Sequence, residues 1–246
     1  MNNINYIEVK EVSSTNDHLK KIAVEEELPE GFIVVTKNQT NGKGQNGNYW
    51  ESEPGKNLTF SILLRPKYID AQNMFLISKA VSIGIIDYLN SLEKCFKIKW
   101  PNDIYYCNKK LGGILIENQL IGNKVNYSVV GIGINVNQEV FTSNAPNPIS
   151  LKKIFKKDFN NFTLLEGIVK QITIWYEILS DGWFEKINDA YSSHIFWDKG
   201  FHDFKANNNQ FVAKIVSVDT DGKLTLKTTN GKYSSFYFKE VEFIIP

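Results

Sequence analysis

The chain has 246 residues, of which 42% are hydrophobic and 22% are charged. This length allows one large domain, or a large and a small one, with a sizeable core. The net charge is only +1, so no global field points to nucleic acid or an anionic membrane as the main partner. Any basic site must therefore be local.

The two cysteines, Cys95 and Cys107, form no CxxC pair and have no histidine cluster beside them. A disulfide framework or a zinc site is therefore not expected, and reduced structural thiols are the simpler interpretation. The N-terminus lacks the basic and apolar regions of a signal peptide. Apolar runs such as residues 129–134 fall far short of the roughly 20 residues that cross a bilayer. We therefore expect a soluble, cytoplasmic protein without a membrane partner.

The N-terminal part of the chain predicts short strands around one helix. The predicted strands are residues 4–9 and 32–36. An amphipathic helix is predicted at residues 15–27, with Ser14 or Thr15 as its N-cap. Residues 37–56 then lose all apolar periodicity and carry glycines among Asn, Gln and Lys. A polar loop of this length in a compact domain is usually functional or disordered.

The rest of the chain predicts an α+β fold that ends in a small β module. Apolar residues at helical spacing predict helices at residues 71–92 and 164–188. The further predicted strands are residues 57–64, 96–100, 104–107, 111–117, 127–135, 211–218, 223–228, 233–238 and 241–245. Hairpins between them, including those at Asp221-Gly222 and Asn230-Gly231, argue against repeating βαβ units. We expect a mixed-sheet domain over residues 1–192 and a barrel-like β domain over residues 193–246.

Three polar segments carry residues that are suited to ligand binding or catalysis. Residues 42–50 combine glycines, which let a backbone approach an anion, with Lys43 and the flat indole of Trp50. Residues 99–103, Lys-Trp-Pro-Asn-Asp, end a strand in a stiff turn. Residues 109–114, Lys-Lys-Leu-Gly-Gly-Ile, place two lysines beside two glycines, a pattern suited to a phosphate or carboxylate. Taken singly, each also has a structural interpretation, as a surface loop, a turn or a solvated hairpin tip.

Together these segments resemble the biotin–protein ligase family in order and spacing. The resemblance rests on residues 13–16, 39–44, 50, 54–58, 64–66, 99–103, 110–115 and 131–135. It covers the whole predicted catalytic domain, and the C-terminal module is similar to the family's SH3-like β barrel. No Ser-His-Asp or Cys-His arrangement competes with it, since the three histidines do not cluster by motif.

The resemblance implies an ATP-dependent ligase. Members of this family join the biotin carboxylate to the α-phosphorus of ATP and then transfer biotin to a lysine of a biotin carboxyl carrier domain. The first step brings two anions together, so the site needs preorganised cations and N–H donors more than a nucleophile. Mg²⁺ is implied as the companion of ATP; no ligand set is assigned to it, and Asp103 could help to position it. The expected partners are biotin, ATP and the carrier domain, without nucleic acid, and a homodimer is left open.

The same resemblance assigns site residues, position by position. Catalysis is assigned to Lys110, Lys43 and Asp103. The biotin site is assigned to Ser14, Thr15, Asn16, Gln39, Lys43, Gly44, Gln45, Gly112 and Gly113. The ATP site is assigned to Gly42, Gly44, Gln45, Trp50, Asn102, Asp103, Lys110, Gly131 and Asn135. For Ser14, capping the helix is the alternative role.

The sequence also departs from common members of the family. Many relatives carry arginine where this chain has Gln45, Asn46 and Asn48. Gln45 cannot supply the fixed positive fork that would hold an adenylate phosphate, so Lys43 and Lys110 remain to carry the charge. Few residues precede the first motif, so we expect the short type of enzyme, without the helix-turn-helix of repressor-type members.

Two other functions compete with biotin ligation. A lipoate–protein ligase is similar in fold and adenylate chemistry, but the motifs at residues 99–103 and 110–114 favour biotin. A catalytically inactive relative that acts as a binding module is the second alternative. The retained Lys110 and the glycine-rich loop argue against it.

Overall fold

The computed structural model describes residues 4–142 and 147–246. Its strands are β1 (Tyr6–Val12), β2 (Ile33–Gln39), β3 (Leu58–Leu64), β4 (Phe96–Lys99), β5 (Asp103–Tyr106), β6 (Lys109–Ile121), β7 (Lys124–Ile134), β8 (His202–Ala206), β9 (Asn209–Val218), β10 (Leu224–Thr228), β11 (Tyr233–Phe236) and β12 (Glu242–Phe243). Its helices are α1 (Thr15–Glu25), α2 (Phe75–Leu92), α3 (Leu151–Phe155), α4 (Asn161–Ser180) and α5 (Phe184–His194). The chain divides into two compact units, Met1–Ala71 with Lys109–Lys170 and Gln72–Asn108 with Gln171–Pro246.

The first unit is built on a mixed sheet in the strand order β1-β2-β3-β7-β6. Strands β1 and β2 run parallel because α1 carries the chain back between them. The β2–β3, β3–β7 and β7–β6 pairs are antiparallel. Every residue of the central strand β3 is buried, so this strand is covered on both faces.

Helix α1 covers one face of this sheet, and its packing against the sheet determines the position of its first turn. Leu19 of the helix packs with Val34, Leu63 and Val129 of three neighbouring strands. Ser14 caps the helix, because its hydroxyl accepts a hydrogen bond from the Asp17 N–H at 3.4 Å. Ser14 therefore acts as the N-cap of α1, which is the alternative role that the sequence analysis named for it.

The second unit contains the β4–β5 hairpin, helices α2 and α5, and an antiparallel sheet in the order β11-β10-β9-β8-β12. Helix α2 is buried nearly all round, and a Cβ on Gly84 would lie 2.7 Å from the Ile172 backbone. Ala71–Leu92 is long and apolar enough to cross a bilayer, but 67% of its most apolar stretch is buried within the fold. Such burial is typical of a core helix.

The predicted α+β class with a mixed sheet is confirmed, and the C-terminal antiparallel sheet agrees with the predicted SH3-like module. The prediction of one helix at 164–188 is wrong. The chain forms α4 and α5 instead, because Gly182 adopts a left-handed φ of +77° just after α4 ends. Strand β8 and helix α3 were not predicted, and β2 extends into the predicted loop as far as Gln39. The domain boundary at residues 192/193 stays a prediction.

Candidate active site

A buried network of uncharged polar groups lies where the first turn of α1 meets the sheet. The Thr15 N–H and hydroxyl both donate to Gln39 Oε1, at 2.9 and 3.2 Å. The Ser61 hydroxyl of β3 lies 2.8 Å from Thr15 Oγ1 and 2.6 Å from Asn16 Oδ1. Ser61 has one proton for these two acceptors, so the network can change partners when a ligand enters. The structure thus brings three sequence-assigned residues, Thr15, Asn16 and Gln39, together on one side of the sheet.

The sequence did not identify two further groups here, a member of the network and a carboxylate that borders it. Ser61 is fully buried, and Glu117 of β6 accepts a hydrogen bond from Asn16 Nδ2 at 2.7 Å. Asn16 Nδ2 also donates to the Leu115 carbonyl at 3.2 Å. A lone serine within the apolar run of β3, and a carboxylate just after the apolar run of β6, were the available signals. Neither signal identifies a partner without the tertiary fold.

Glycines of β6 and β7 let side chains lie directly on the sheet. A Cβ on Gly131 would collide with the Asn16 side-chain amide. A Cβ on Gly133 would come within 2.5 Å of the Trp50 indole. Gly131 is opposite Ser61 in the β3–β7 register. The glycine repeat in β7 therefore makes room for both the polar network and the Trp50 ring.

The glycine-rich segment folds back on itself as a tight hairpin. The Trp50 N–H donates to the Gly42 carbonyl at 2.9 Å, and the Gly44 N–H donates to the Asn48 carbonyl at 2.6 Å. Gly47 turns the chain with a left-handed φ of +82°. Any side chain at Gly42 would strike the Trp50 carbonyl, so this position requires glycine.

Two buried polar atoms at this hairpin have no hydrogen-bond partner among the described residues. They are Trp50 Nε1, a donor, and Gln45 Oε1, an acceptor. Leaving a buried polar atom unsatisfied costs roughly 1–3 kcal/mol. A ligand that supplied an acceptor to Trp50 and a donor to Gln45 would recover that cost. Both residues belong to the predicted ATP site, and these orphaned atoms are compatible with a polar ligand there.

A chain of alternating charges connects the hairpin to the polar network. Lys43 Nζ lies 2.5 Å from Asp17 Oδ2, Lys20 Nζ lies 3.0 Å from Asp17 Oδ1, and Lys20 also lies 2.7 Å from Glu117 Oε1. Burial alone would raise the pKa of Asp17, but hydrogen bonds from Lys43 and Lys20 outweigh it and lower that pKa. Burial opposes the charge on Lys20 as well, yet Glu117 and Asp17 raise its pKa. Both shifts favour the charged forms of Asp17 and Lys20 at neutral pH, so Lys43 has an anionic partner.

Lys110 stands at the start of β6, where its backbone is held on both sides. Its N–H donates to the Asn147 carbonyl at 2.9 Å, and its carbonyl accepts from the Ile149 N–H at 2.9 Å. Gly112 and Gly113 follow on the same strand, and a Cβ on Gly112 would come within 2.6 Å of a β7 carbonyl. The strand thus fixes the Lys110 backbone, and the glycines let β6 and β7 lie close together.

Asn135, assigned to the ATP site, is 4% exposed and has structural partners in this unit. Its Nδ2 donates to the Ile149 carbonyl at 3.1 Å, its N–H donates to the Leu111 carbonyl at 2.9 Å, and its carbonyl accepts from the Leu151 N–H at 3.1 Å. Asn135 therefore ties the end of β7 to the segment that precedes α3. Its predicted contact with the nucleotide is untested.

The Lys-Trp-Pro-Asn-Asp motif belongs to the second unit. Trp100 is 2% exposed, and its Nε1 donates to the Gly222 carbonyl at 2.9 Å. The Lys99 ammonium lies 4.9 Å from the centre of an aromatic ring in β12. Asp103 opens β5 opposite Lys99, directly after Asn102. Half of the motif therefore anchors the hairpin within its own unit, and the assigned roles of Asn102 and Asp103 stay predictions.

Comparison with known proteins places the chain in a family. Residues 8–135, more than half of the chain, match the model of the biotin/lipoate A/B protein ligase family. The chain belongs to this family. The bifunctional ligase/repressor BirA of Bacillus subtilis is 29% identical over 249 aligned positions, which cover 94% of this chain and 71% of that protein. The human biotin–protein ligase is 35% identical over 114 positions, 43% of this chain and 15% of that protein.

Solved structures extend the likeness to both units. The biotin protein ligase from Aquifex aeolicus, solved in complex with biotin and ATP, is 27% identical to this chain. Its TM-score is 0.80, and the match covers 98% of this chain and 99% of that one. The similarity therefore includes the C-terminal sheet as well as the unit that holds the candidate site.

Proposed function

We propose that this protein is a biotin–protein ligase, which forms biotinyl-adenylate from biotin and ATP and transfers biotin to a lysine of a biotin carboxyl carrier domain. One observation carries the proposal. The uncharged network of Thr15, Asn16, Gln39 and Ser61 is joined through Glu117, Lys20 and Asp17 to the ammonium of Lys43. Such a site offers neutral hydrogen-bonding groups to one end of a ligand and a cation to its other end.

This arrangement favours biotin over lipoate. The ureido ring of biotin is uncharged, and it both donates and accepts hydrogen bonds, as the amides and hydroxyls of the network do. The dithiolane ring of lipoate offers neither N–H nor C=O, so it would bury these groups without new partners. A site built to hydrogen-bond its substrate rejects an analogue that lacks those groups by large factors.

The chain's own residues account for the adenylation step mainly through charge. Lys43 and Lys110 would stabilise the negative charge of the biotin carboxylate and of the α-phosphate as the two approach. Backbone N–H groups of residues 42–50 would add donors that need no reorganisation. Trp50, seated on Gly133, would cover the nucleotide and keep water from the mixed anhydride.

Mg²⁺ accompanies ATP in this proposal. Within residues 4–142 and 147–246, no group of three or more His, Cys, Asp or Glu side chains could form a metal cage. This fits an ion that is held chiefly by phosphate oxygens and water, with one or two protein oxygens. Asp103 and Asn102 are the proposed contributors. We further propose a cytoplasmic location, where ATP and carrier domains are available, and leave the oligomeric state open.

The exchange of labelled pyrophosphate into ATP, measured with biotin or with lipoate as the substrate, tests the proposal. The protein is incubated with ATP, Mg²⁺, labelled pyrophosphate and either biotin or lipoate. Exchange with biotin and none above background with lipoate is the expected result. Exchange with lipoate but not with biotin would identify a lipoate–protein ligase instead. Exchange with neither acid would favour a catalytically inactive relative that acts as a binding module.

A further inference from the structure

The two cysteines of the chain lie opposite each other at the open end of one hairpin. Strands β4 and β5 pair so that Phe96 faces Tyr106, and the register continues outward by one residue to Cys95 and Cys107. The Cys107 N–H donates to the Cys95 carbonyl at 3.4 Å. The sequence contains only these two cysteines in 246 residues, and the fold places them side by side.

Both cysteines are accessible, and they are neighbours across the hairpin. Both side chains are exposed and unbonded to another sulfur, whereas unpaired cysteines are among the most buried residues of proteins. Besides burial, the neighbouring Cys95 side chain raises the pKa of the Cys107 thiol. Cys95 and Cys107 have positive φ values of 152° and 50°, so they depart from regular strand geometry, and a disulfide needs their Cβ atoms about 3.5–4.5 Å apart. Both residues lie at the open end of the hairpin, where a local backbone adjustment can bring the two sulfurs into bonding geometry.

The neighbouring residues hold this end of the hairpin in place. The Asn90 side-chain oxygen accepts hydrogen bonds from the N–H groups of Cys95 and Phe96, at 3.3 and 3.1 Å. The Phe96 and Tyr106 rings pack with their centroids 5.0 Å apart. The register is thus fixed beside the thiols, so the pair stays aligned without a covalent bond.

We propose that Cys95 and Cys107 form a reversible intramolecular disulfide that fastens the open end of the β4–β5 hairpin, the hairpin that carries the Lys99–Asp103 turn. The oxidant is a small-molecule disulfide such as oxidised glutathione. This goes beyond the sequence-based expectation of two reduced structural thiols. It is also independent of which acid the protein activates.

The exchange proceeds in two balanced steps. Burial raises the pKa of the Cys107 thiol, as does the neighbouring Cys95, so Cys107 is a poor first nucleophile. The Cys95 thiolate attacks one sulfur of the small disulfide and releases one small thiol. Cys107 then loses its proton to solvent, attacks the Cys95 sulfur and releases the second small thiol. Two protein thiols are oxidised, and the two electrons reduce the small disulfide to two thiols.

The test uses the full chain with oxidised glutathione as the probe. The reduced protein is incubated with the probe and treated with N-ethylmaleimide, and its intact mass and linked peptides are measured. The expected product lacks two hydrogen atoms, takes up no maleimide and contains a Cys95–Cys107 peptide link. Cys107→Ser, as a matched variant, is expected to acquire one glutathione; Cys95→Ser, which keeps the poorer nucleophile Cys107, is expected to acquire it more slowly, and neither forms a link.

The melting temperature tests whether the disulfide stabilises the hairpin. Cys95 and Cys107 enclose a short loop, so the oxidised protein is expected to melt roughly 5–10 °C above the reduced protein. Addition of dithiothreitol should reverse the shift, and the serine variants should not show it. Thiols that stay reactive with maleimide, a stable adduct with two glutathiones, cross-linked dimers or a disulfide without a rise in melting temperature would each overturn the proposal.

Discussion

Lys43 Nζ and Asp17 Oδ2 lie 2.5 Å apart, so the cation assigned to the substrate anions is paired with a carboxylate of helix α1. Lys43 belongs to the glycine-rich hairpin, and Asp17 to the first turn of the helix that carries Thr15 and Asn16. The pair therefore links the two halves of the candidate site. When an anionic substrate engages Lys43, it must compete with Asp17 for the same ammonium group.

Asp17→Asn is expected to lower the KM for biotin in pyrophosphate exchange, because Lys43 no longer has to leave an anionic partner. Both side chains are partly exposed, 45% for Lys43 and 36% for Asp17. Such pairs contribute about 0.2–1 kcal/mol, which limits the change to about fivefold. Glu8→Gln, which removes the exposed ion pair with Lys37 in the same unit, is the matched control. An unchanged or higher KM in the Asp17 variant would refute the competition.

Lys110→Ala is expected to reduce the rate of adenylate formation by about 10²–10³, because one preorganised cation at the reacting phosphate is lost. The matched control is Lys109→Ala, which removes the neighbouring lysine from the exposed first position of β6. Single-turnover formation of biotinyl-adenylate, with folding checked by circular dichroism, gives the measurement. Near-normal rates in a folded Lys110→Ala protein, or equal losses in both variants, would contradict the assignment.

Gln45→Arg is expected to slow the dissociation of biotinyl-adenylate. The Gln45 amide supplies no charge, and its buried oxygen has no partner among the described residues. A charged hydrogen bond is worth roughly 1.5–3 kcal/mol, or one to two decades in affinity. The release rate of the adenylate and the stray labelling of albumin lysines are compared with wild type. If arginine changes neither, another residue already holds the phosphate.

The buried Lys79, which lies outside the candidate site, is expected to make the stability of the protein depend on pH. It is 1% exposed, hydrogen-bonds to Asn188 Oδ1 at 2.7 Å, and contacts the Val218 carbonyl. Burial lowers its pKa to about 8, against the partial opposition of Asp219 and Asp221. Between about pH 8 and the unfolded value near 10.5, the unfolded chain binds the proton and the folded chain does not. As pH rises through that window, this group therefore raises the free energy of unfolding by about 3 kcal/mol.

Lys79→Met isolates this contribution, since methionine has a similar length and no charge. Urea unfolding of both proteins from pH 7 to 10.5 gives the difference in unfolding free energy at each pH. The wild type should gain stability relative to the variant across the window. A constant difference would mean that the Lys79 pKa is not lowered by burial.

The sequence predicted those parts of the structure that depend on local pattern. Gly222 and Gly231, placed in hairpin turns by their Asp-Gly and Asn-Gly pairs, have φ values of +93° and +87°. The break at Gly182 was missed because apolar residues continue at helical spacing on both sides of it. The motifs identified Thr15, Asn16 and Gln39, but their partners Ser61 and Glu117 were missed. Those contacts join residues up to 101 positions apart, and no local pattern encodes them.

Transfer of biotin to a carrier domain is the reaction that defines a biotin–protein ligase. The protein is mixed with a biotin carboxyl carrier domain, biotin, ATP and Mg²⁺, and the intact mass of the carrier is followed over time. The carrier is expected to gain one biotinyl group only when ATP is present, and replacing the carrier's target lysine with arginine is expected to abolish the gain. A carrier whose mass stays unchanged, or that gains mass with lipoate but not with biotin, would show that this protein is not a biotin–protein ligase.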